Sequence, residues 1–213
     1  MIEPLSPADH RWGRGQNEGA RLIAGVVLAA GVSSRMGRQK LLLPMEGGRP
    51  LIRLSVERVV AAGLDEVVVV LGRDAEAVAA ALAGLPVRTV VNPRYAEGQS
   101  TSLRAGLDAL PADTEAAVVA LGDQPLPDPA LIGRLVTAFR QTRRPVVVPR
   151  YHDGRGNPVL FSAAVFDELR AVTGDRGGRG VIARDPARVA EVPVDSPMPP
   201  DVDTWDDYSA LAQ

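Results

Sequence analysis

The sequence predicts a three-layer α/β protein in which helices cover both faces of a mostly parallel central sheet. From residue 24 onward, short apolar runs rich in β-branched residues alternate with longer segments of helical periodicity. This alternation is typical of a parallel sheet with crossover helices. The short runs are apolar throughout, as expected for strands buried on both faces. With 213 residues, 46% of them hydrophobic, the chain can bury a substantial core as one domain.

Seven short apolar runs are predicted to be strands, and six periodic segments are predicted to be helices. The strands are Ala24–Leu28, Glu66–Leu71, Val87–Val91, Ala116–Leu121, Pro145–Val148, Asn157–Phe161 and Val189–Val194. The helices are Leu51–Ala62, Asp74–Leu82, Thr101–Leu110, Asp128–Phe139, Ser162–Ala171 and Thr204–Leu211.

Local signals mark the ends of three of these helices. Gly63 follows the first helix, at the position where glycine is favoured. Asp128 and Pro129 supply the fourth helix with an N-cap and a proline at its first position. Thr204 and Asp207 fit a variant of the capping box, so we expect their side chains to stabilise the last helix.

Composition and charge limit the classes of function. Residues 1–20 mix proline, glycine and charges without an apolar leader, so we expect a disordered tail followed by one domain over residues 21–213. An apolar run long enough to span a bilayer is missing, which favours a cytoplasmic protein without a membrane partner. A formal net charge of −2 gives no general attraction to nucleic acid. Because the chain has no cysteine and only two histidines, any metal is expected to bind oxygen ligands.

A loop of small residues follows the first strand. From Leu28 it runs Leu-Ala-Ala-Gly-Val-Ser-Ser-Arg-Met-Gly-Arg-Gln-Lys, ending at Lys40. Small side chains let backbone N–H groups approach phosphate oxygens, and Arg35 and Lys40 can neutralise a triphosphate. The spacing fits neither the dinucleotide fingerprint nor the Walker pattern. Taken alone, the loop is equally compatible with a structural turn carrying solvated basic residues.

Acidic residues occur at two further places. Asp123, in Gly-Asp-Gln-Pro, follows the predicted strand Ala116–Leu121, and ligands of open α/β sheets bind at the carboxyl ends of strands. A carboxylate there can hold Mg²⁺, although Gly-Asp-x-Pro is also a common turn. Asp201 and Asp203 precede the capping box of the last helix and remain available to the same site. The sequence does not separate the roles of these two acids.

The glycine loop and the following Leu-Leu-Leu-Pro resemble the signature of the molybdenum cofactor cytidylyltransferase family, which is related to the molybdenum cofactor guanylyltransferases. The resemblance covers roughly residues 24–211. It implies a Rossmann-like nucleotidyltransferase fold and Mg²⁺-dependent transfer of a nucleoside monophosphate to the phosphate of molybdopterin or molybdenum cofactor, with release of pyrophosphate. Guanylyl members carry two glycines where this chain has Ala30 and Gly31, which implies CTP rather than GTP.

The resemblance also assigns roles to individual residues. Catalysis is implied for Arg35, Lys40 and Asp123, and metal binding for Asp123 with Asp203 or Asp201, of which Asp203 is preferred. The implied nucleotide contacts are Leu28, Ala29, Ala30, Gly31, Ser33, Ser34, Gly98, Ser100 and Ser102. The implied acceptor contacts are Asn157, Arg176 and Arg179. Helix capping by Ser100 and solvated loop charge for the two arginines remain alternatives, and Asn157 departs from the family's usual histidine.

Two rival functions remain open at this point. The first is a related nucleotidyltransferase that uses GTP, or a sugar phosphate as acceptor. The second is a nucleotide- or cofactor-binding protein without catalytic activity that delivers the cofactor to a partner such as a molybdoenzyme. Pyrophosphate release separates the two classes, because a delivery protein binds nucleotide without cleaving it.

Overall fold

The computed structural model describes residues 21–31, 36–124 and 128–211; the expected N-terminal tail, residues 1–20, lies outside them. The strands are Leu22–Ala29 (β1), Glu66–Leu71 (β2), Arg88–Val91 (β3), Thr114–Leu121 (β4), Val146–Tyr151 (β5), Gly154–Arg155 (β6), Val159–Ser162 (β7) and Val189–Pro193 (β8). The helices are Leu51–Ala61 (α1), Ala75–Ala81 (α2), Gln99–Asp108 (α3), Pro129–Thr142 (α4), Phe166–Arg170 (α5), Arg179–Arg184 (α6) and Trp205–Leu211 (α7). Within these ranges, every helix is too short or too polar to cross a membrane.

The strands form one mixed sheet in the order β3-β2-β1-β4-β7-β5-β6, with β8 beside β5. β1 pairs in parallel with both β2 and β4, whereas β7 runs antiparallel to β4 and β5. After β1 the chain builds β2 and β3 on one side of it and then crosses to β4 on the other. The carboxyl ends of β1 and β4 therefore form a topological switch point, where open α/β sheets bind their ligands.

Helices cover both faces of the sheet. Buried residues of α1, α2 and α4 pack against one face, and those of α3, α5 and α6 pack against the other. A third, smaller cluster joins the segment that follows the glycine loop to the C-terminal stretch; its buried members are Met36, Leu43, Met45, Leu51 and Val202. The predicted three-layer α/β fold is confirmed.

The predicted helix ends are also confirmed. Gly63 adopts a positive φ of 70° after α1, and the Asp128 carboxylate accepts a hydrogen bond from the Ala130 amide at 2.9 Å at the start of α4. At the start of α7, Asp207 Oδ2 accepts from the Thr204 amide at 2.7 Å, while Thr204 Oγ1 accepts from the Asp207 amide at 3.2 Å. These are the reciprocal bonds of a capping box.

Helix α3 begins two residues earlier, and β7 two residues later, than predicted. Three elements differ from the sequence-based expectation in kind. The segment 162–171 divides into a 3₁₀ turn, Ala163–Val165, and the short helix α5. Helix α6 was not predicted because glycines weaken helical propensity around it, yet burial of Val181 holds it against the sheet. The two-residue strand β6 was also missed, since two residues carry no periodic signal.

Helix α3 lies unusually close to the sheet at Gly106. A Cβ atom at this position would lie 2.5 Å from Val26 Cγ1 and 3.0 Å from Val70 Cγ2. Contacts this short require the helix, the strands or the two buried valine side chains to move. Gly133, in α4, provides a contrast because a Cβ atom there would meet nothing within 4 Å.

We therefore expect Gly106→Ala to lower the free energy of unfolding by about 1–3 kcal/mol, the usual cost of overpacking. Gly133→Ala, the matched control, should raise it by up to about 1 kcal/mol because alanine favours a helix interior. Urea denaturation of both variants measures the difference. Equal stability of the Gly106→Ala variant and the unsubstituted protein would contradict the packing described here.

Candidate active site

The carboxyl end of β4 places Asp123 at the switch point. The Gly122 amide donates a hydrogen bond to the Leu28 carbonyl at 2.9 Å, which continues the pairing of β4 with β1 beyond the strand. The fully buried Ser55 of α1 donates its hydroxyl to the Gly122 carbonyl at 3.0 Å. Both contacts fix the backbone immediately before Asp123, so its carboxylate projects from a rigid edge of the sheet.

Lys40, the last residue of the glycine loop, approaches the same point. It begins a 3₁₀ turn, Lys40–Leu42, and its side chain is only 10% exposed. The Lys40 Nζ atom lies 2.7 Å from Asp123 Oδ2 and 2.7 Å from Asp203 Oδ1. One ammonium group thus joins carboxylates from two distant parts of the chain.

The two carboxylates determine the charge state of Lys40. Burial lowers the pKa of the ammonium group, but the negative charge of Asp123 and hydrogen bonds to Asp123 and Asp203 raise the pKa above its ordinary value. Lys40 is consequently protonated at neutral pH despite its burial.

Val202 holds the two C-terminal acids at the site. Its side chain is fully buried in the small third cluster, and its amide donates to the Asp123 carbonyl at 3.2 Å. On its two sides, Asp203 contacts Lys40, whereas Asp201 accepts a hydrogen bond from Gln124 Nε2. The structure thus brings Asp203, rather than Asp201, to the same ammonium group as Asp123.

The pKa of Asp201 reflects its position beside this cluster. Loss of water contact raises the pKa of Asp201, the hydrogen bond from Gln124 opposes that rise, and the negative charges of Asp123 and Asp203 add to it. Two carboxylates thus contact the Lys40 ammonium group, and a third, that of Asp201, lies close enough to interact with all three charges. The edge carries excess negative charge from these four residues and is suited electrostatically to a further cation.

The donor set fits a divalent cation that takes few protein ligands. Asp123 and Asp203 direct one oxygen each toward a common point, which the Lys40 ammonium marks. Across the described ranges, no three acidic or histidine side chains form a ready-made metal cluster. Two carboxylates nevertheless suffice for Mg²⁺, which commonly binds one or two and completes its shell with water and substrate phosphate.

The described part of the glycine loop packs against the loop after β2. Ala30 is buried and Gly31 is exposed. A Cβ atom on Gly72 would lie 2.8 Å from Ala30 Cβ and 2.7 Å from Tyr95 Cβ. Only glycine at position 72 therefore lets Ala30 adopt its present position. Ser33, Ser34 and Arg35 lie outside the described residues.

The predicted base-reading segment forms the start of α3. Ser100 and Ser102 are both buried. The Asn92 side-chain amide donates to Ser102 Oγ at 3.0 Å and to Thr101 Oγ1 at 2.9 Å. The Ser102 side chain is thereby fixed by Asn92. Gly98, with a φ of 110°, precedes the helix.

The predicted acceptor residues lie on two loops. Asn157 comes two residues before β7, whose Val159 pairs with Val119 near the carboxyl end of β4. Because β7 is antiparallel, its preceding loop lies at the same edge as Asp123. The backbone of Arg176 belongs to a 3₁₀ turn, Gly174–Arg176, that packs against α3, and the exposed Arg179 begins α6.

Sequence reasoning missed several residues that build this edge: Ser55, Gly72, Gln124, Asp175 and Val202. Only Val202 carried a usable signal, because a single apolar residue between two acids is a pattern expected of a buried anchor with polar neighbours.

Comparison with known proteins relates the chain to a family of nucleotide transferase domains. A family model described as the MobA-like NTP transferase domain matches residues 25–190. The chain is 39% identical to Rv0371c from Mycobacterium tuberculosis H37Rv, with a TM-score of 0.81 over 91% of this chain and 98% of that one. A structure of Rv0371c in complex with manganese matches at 37% identity and a TM-score of 0.78, covering 90% of this chain and 98% of that one.

Two named enzymes are also similar. Nicotine blue oxidoreductase of Paenarthrobacter nicotinovorans is 36% identical over 171 residues, which span 77% of this chain and 83% of that enzyme. The 2-C-methyl-D-erythritol 4-phosphate cytidylyltransferase of Nocardia farcinica is 37% identical over 161 residues, which span 74% of this chain and 65% of that enzyme.

The anchoring role of Val202 can be tested independently of activity. We expect Val202→Ala to lower the free energy of unfolding by about 1–3 kcal/mol through the cavity it leaves, and to accelerate hydrogen exchange of the residue 202 amide. Val91→Ala, at a valine that is 56% exposed, should change stability by less than about 0.5 kcal/mol. Similar losses in the two variants would show that Val202 is not an anchor.

Proposed function

The chain belongs to the MobA-like NTP transferase family, and on that premise we propose that it transfers CMP from CTP to the phosphate of molybdopterin or molybdenum cofactor, releasing pyrophosphate. The observation that carries the proposal is the convergence of Lys40, Asp123 and Asp203 at the switch point. Lys40 ends the loop of small residues, so the loop and the charged cluster lie side by side. Nucleotidyl transfer needs a positively charged side chain and metal-binding carboxylates, and both must lie beside the loop that binds the phosphates.

In this proposal Asp123 and Asp203 hold Mg²⁺. When bound there, Mg²⁺ supplies positive charge that stabilises the α-phosphate and the departing pyrophosphate. The manganese complex of Rv0371c supports a divalent cation in this chain as well. Asp201 and Gln124 lie beside the pair and orient it through the backbone of Val202.

Lys40 acts on the phosphates of the nucleotide. Its ammonium group lies between the carboxylates in the present structure and exchanges them for phosphate oxygens when the triphosphate binds. An oxygen of the acceptor phosphate then attacks the α-phosphorus in line, and the bond from that phosphorus to the bridging oxygen breaks. The leaving pyrophosphate takes the electron pair, while Lys40 and Arg35 stabilise its charge. No protein nucleophile is needed.

The preference for CTP rests on Ala30 and on the similarity to a cytidylyltransferase. Ala30 is buried, and it lies so close to Gly72 that a Cβ atom on Gly72 would be 2.8 Å from the Ala30 methyl carbon. The backbone around Ala30 therefore has little freedom to retreat from a larger base. The other proposed nucleotide contacts among the described residues are Leu28, Ala29, Gly31, Gly98, Ser100 and Ser102. A pyrimidine fits this restricted space better than a purine.

The acceptor is proposed to bind on the opposite side of Asp123. Asn157 lies there on the loop before β7, and Arg176 and Arg179 belong to the glycine-rich segment beside α3. Guanidinium groups bind phosphate with paired hydrogen bonds. This arrangement suits a phosphorylated acceptor that approaches the α-phosphorus from the side away from the glycine loop.

Pyrophosphate release tests the proposal directly. Purified protein is incubated with Mg²⁺, with CTP, GTP, ATP or UTP, and with molybdopterin, with or without molybdate. We expect release only with acceptor and fastest with CTP. Faster release with GTP, or release only with a sugar phosphate, would replace the substrate assignment. Nucleotide binding without release would favour a delivery protein, and turnover of nicotine blue alone would favour the chemistry named for the Paenarthrobacter relative.

Two acid-to-amide variants separate the roles of the C-terminal acids. We expect Asp203→Asn to reduce turnover by about 10²-fold or more and to weaken Mn²⁺ binding, because it removes a metal ligand. Asp201→Asn, the matched control two residues away, should lose roughly tenfold, as for a group that only orients the site. Calorimetric Mn²⁺ titration and steady-state kinetics provide the measurements. A larger loss in Asp201→Asn would reverse the assignment.

Base selectivity depends on the Ala30 methyl group in this proposal. Ala30→Gly should shift the ratio of specificity constants toward GTP by about 10–200-fold at most, the range associated with a single methylene. Ala112→Gly, at an exposed loop position on the opposite edge of the sheet, should leave the ratio unchanged. Competition between CTP and GTP with one acceptor measures both. An unaltered ratio in Ala30→Gly would remove Ala30 from base selection.

A further inference from the structure

The start of α3 and the turn Gly174–Arg176 interlock. A Cβ atom on Gly98 would lie 2.8 Å from the Gly174 carbonyl carbon and 2.9 Å from Asp175 Oδ1. A Cβ atom on Gly177 would collide with the side-chain oxygen of Gln99. Each segment therefore has glycine where the other segment passes, and neither can shift far without disturbing its neighbour.

Asp175 provides a hydrogen bond that α3 does not obtain from its own cap residue. Helices begin with backbone N–H groups that have no partner within the helix, and a side chain just before the helix usually accepts one of them. The residue at that position is Gly98, which has no side chain. Asp175 Oδ1 instead accepts from the Gln99 amide at 3.2 Å, across 76 positions of sequence. A carboxylate there also interacts favourably with the helix dipole.

The turn Gly174–Arg176 is connected to α5 by a short stretch of chain, and the end of α5 also contacts α3. Arg104 Nε of α3 donates to the carbonyl of Arg170, the last residue of α5, at 3.0 Å. The Arg170 guanidinium in turn contacts Asp108 of α3 at 2.8 Å. The stretch from residue 171 to residue 175 is therefore anchored to α3 at both of its ends, and the arginine-bearing segment that follows it is positioned by the same helix.

We propose that Asp175 is a positioning residue that couples the two substrates: nucleotide bound at the start of α3 and phosphorylated acceptor bound by the segment 176–179 strengthen each other's binding. This inference rests on the proposed function, which places the nucleotide and the acceptor on these two segments. Because Asp175 joins them, a ligand that orders one segment reduces the ordering cost paid by a ligand at the other.

The test measures binding without turnover. Calorimetry gives the dissociation constant of a CTP analogue with a methylene group between the α- and β-phosphorus, in the presence of Mg²⁺, with and without saturating molybdopterin. The ratio of the two constants is the coupling factor. We compare the unsubstituted protein with Asp175→Ala, Asp175→Asn and Asp185→Ala. Asp185 is the matched control because its carboxylate caps a different 3₁₀ turn, Pro186–Arg188, through the Ala187 amide at 2.9 Å.

We expect a coupling factor of about 5 or more in the unsubstituted protein and in Asp185→Ala, within the usual range for linked sites. In Asp175→Ala it should fall below about twofold, with a higher KM for both substrates and kcat nearly unchanged at saturation. Asp175→Asn should retain most of the coupling, because its amide oxygen can accept the same hydrogen bond.

The outcomes distinguish this inference from the proposed function. Absence of analogue binding to the unsubstituted protein would overturn both. Binding without coupling, or equal coupling in Asp175→Ala and the unsubstituted protein, would overturn the inference and leave the proposed function standing. An Asp175→Asn variant as defective as Asp175→Ala would also overturn it, since the hydrogen bond to α3 would then not carry the effect.

Discussion

The ammonium group of Lys40 between Asp123 and Asp203 is the contact on which the rest of the site depends. Lys40 comes from the segment after β1, and its two partners come from the end of β4 and the stretch before α7. Burial of the Lys40 ammonium group is favourable only if its carboxylate partners are held in accurate geometry. The fold provides this accuracy through apolar packing, since Val202 is buried immediately beside Asp203 and bonded to the backbone of Asp123. A small hydrophobic cluster thus stabilises an arrangement of charges.

Much of the frame could be predicted from the sequence. Buried strands are apolar throughout, and parallel strands collect their carboxyl ends at one edge, so the positions of Lys40 and Asp123 relative to the sheet followed from pattern and topology. The capping box of α7 was also evident. The choice between Asp201 and Asp203 was not, because both lie next to an apolar residue whose burial depends on the distant Leu43 and Met45.

Contacts made by glycine and backbone were the least predictable. The approach of Gly98 to Gly174 joins residues far apart in the sequence, and a missing side chain leaves no periodic signal. The hydrogen bond from the Gln99 amide at the start of α3 to Asp175 was equally hard to predict. A lone aspartate in a glycine-rich segment is typical of an ordinary loop, and nothing in the sequence indicates its distant partner. Propensity likewise gave no reason to expect α6, which tertiary packing stabilises through Val181.

The reversed direction of β7 bears on how enzymes of this family diversify. In a wholly parallel sheet, the loops that follow the strands would face the substrates, and the same loops would have to serve every ligand. Since β7 is antiparallel, the hairpin-like region before it opens at the active edge, separate from the loops that follow β1 and β4. Under the proposed function, a substitution there would change the contact that Asn157 makes with the acceptor and would leave the segments that carry Lys40 and Asp123 unaltered. One inverted strand therefore gives this edge of the sheet a loop that is structurally independent of the segments holding the charged cluster.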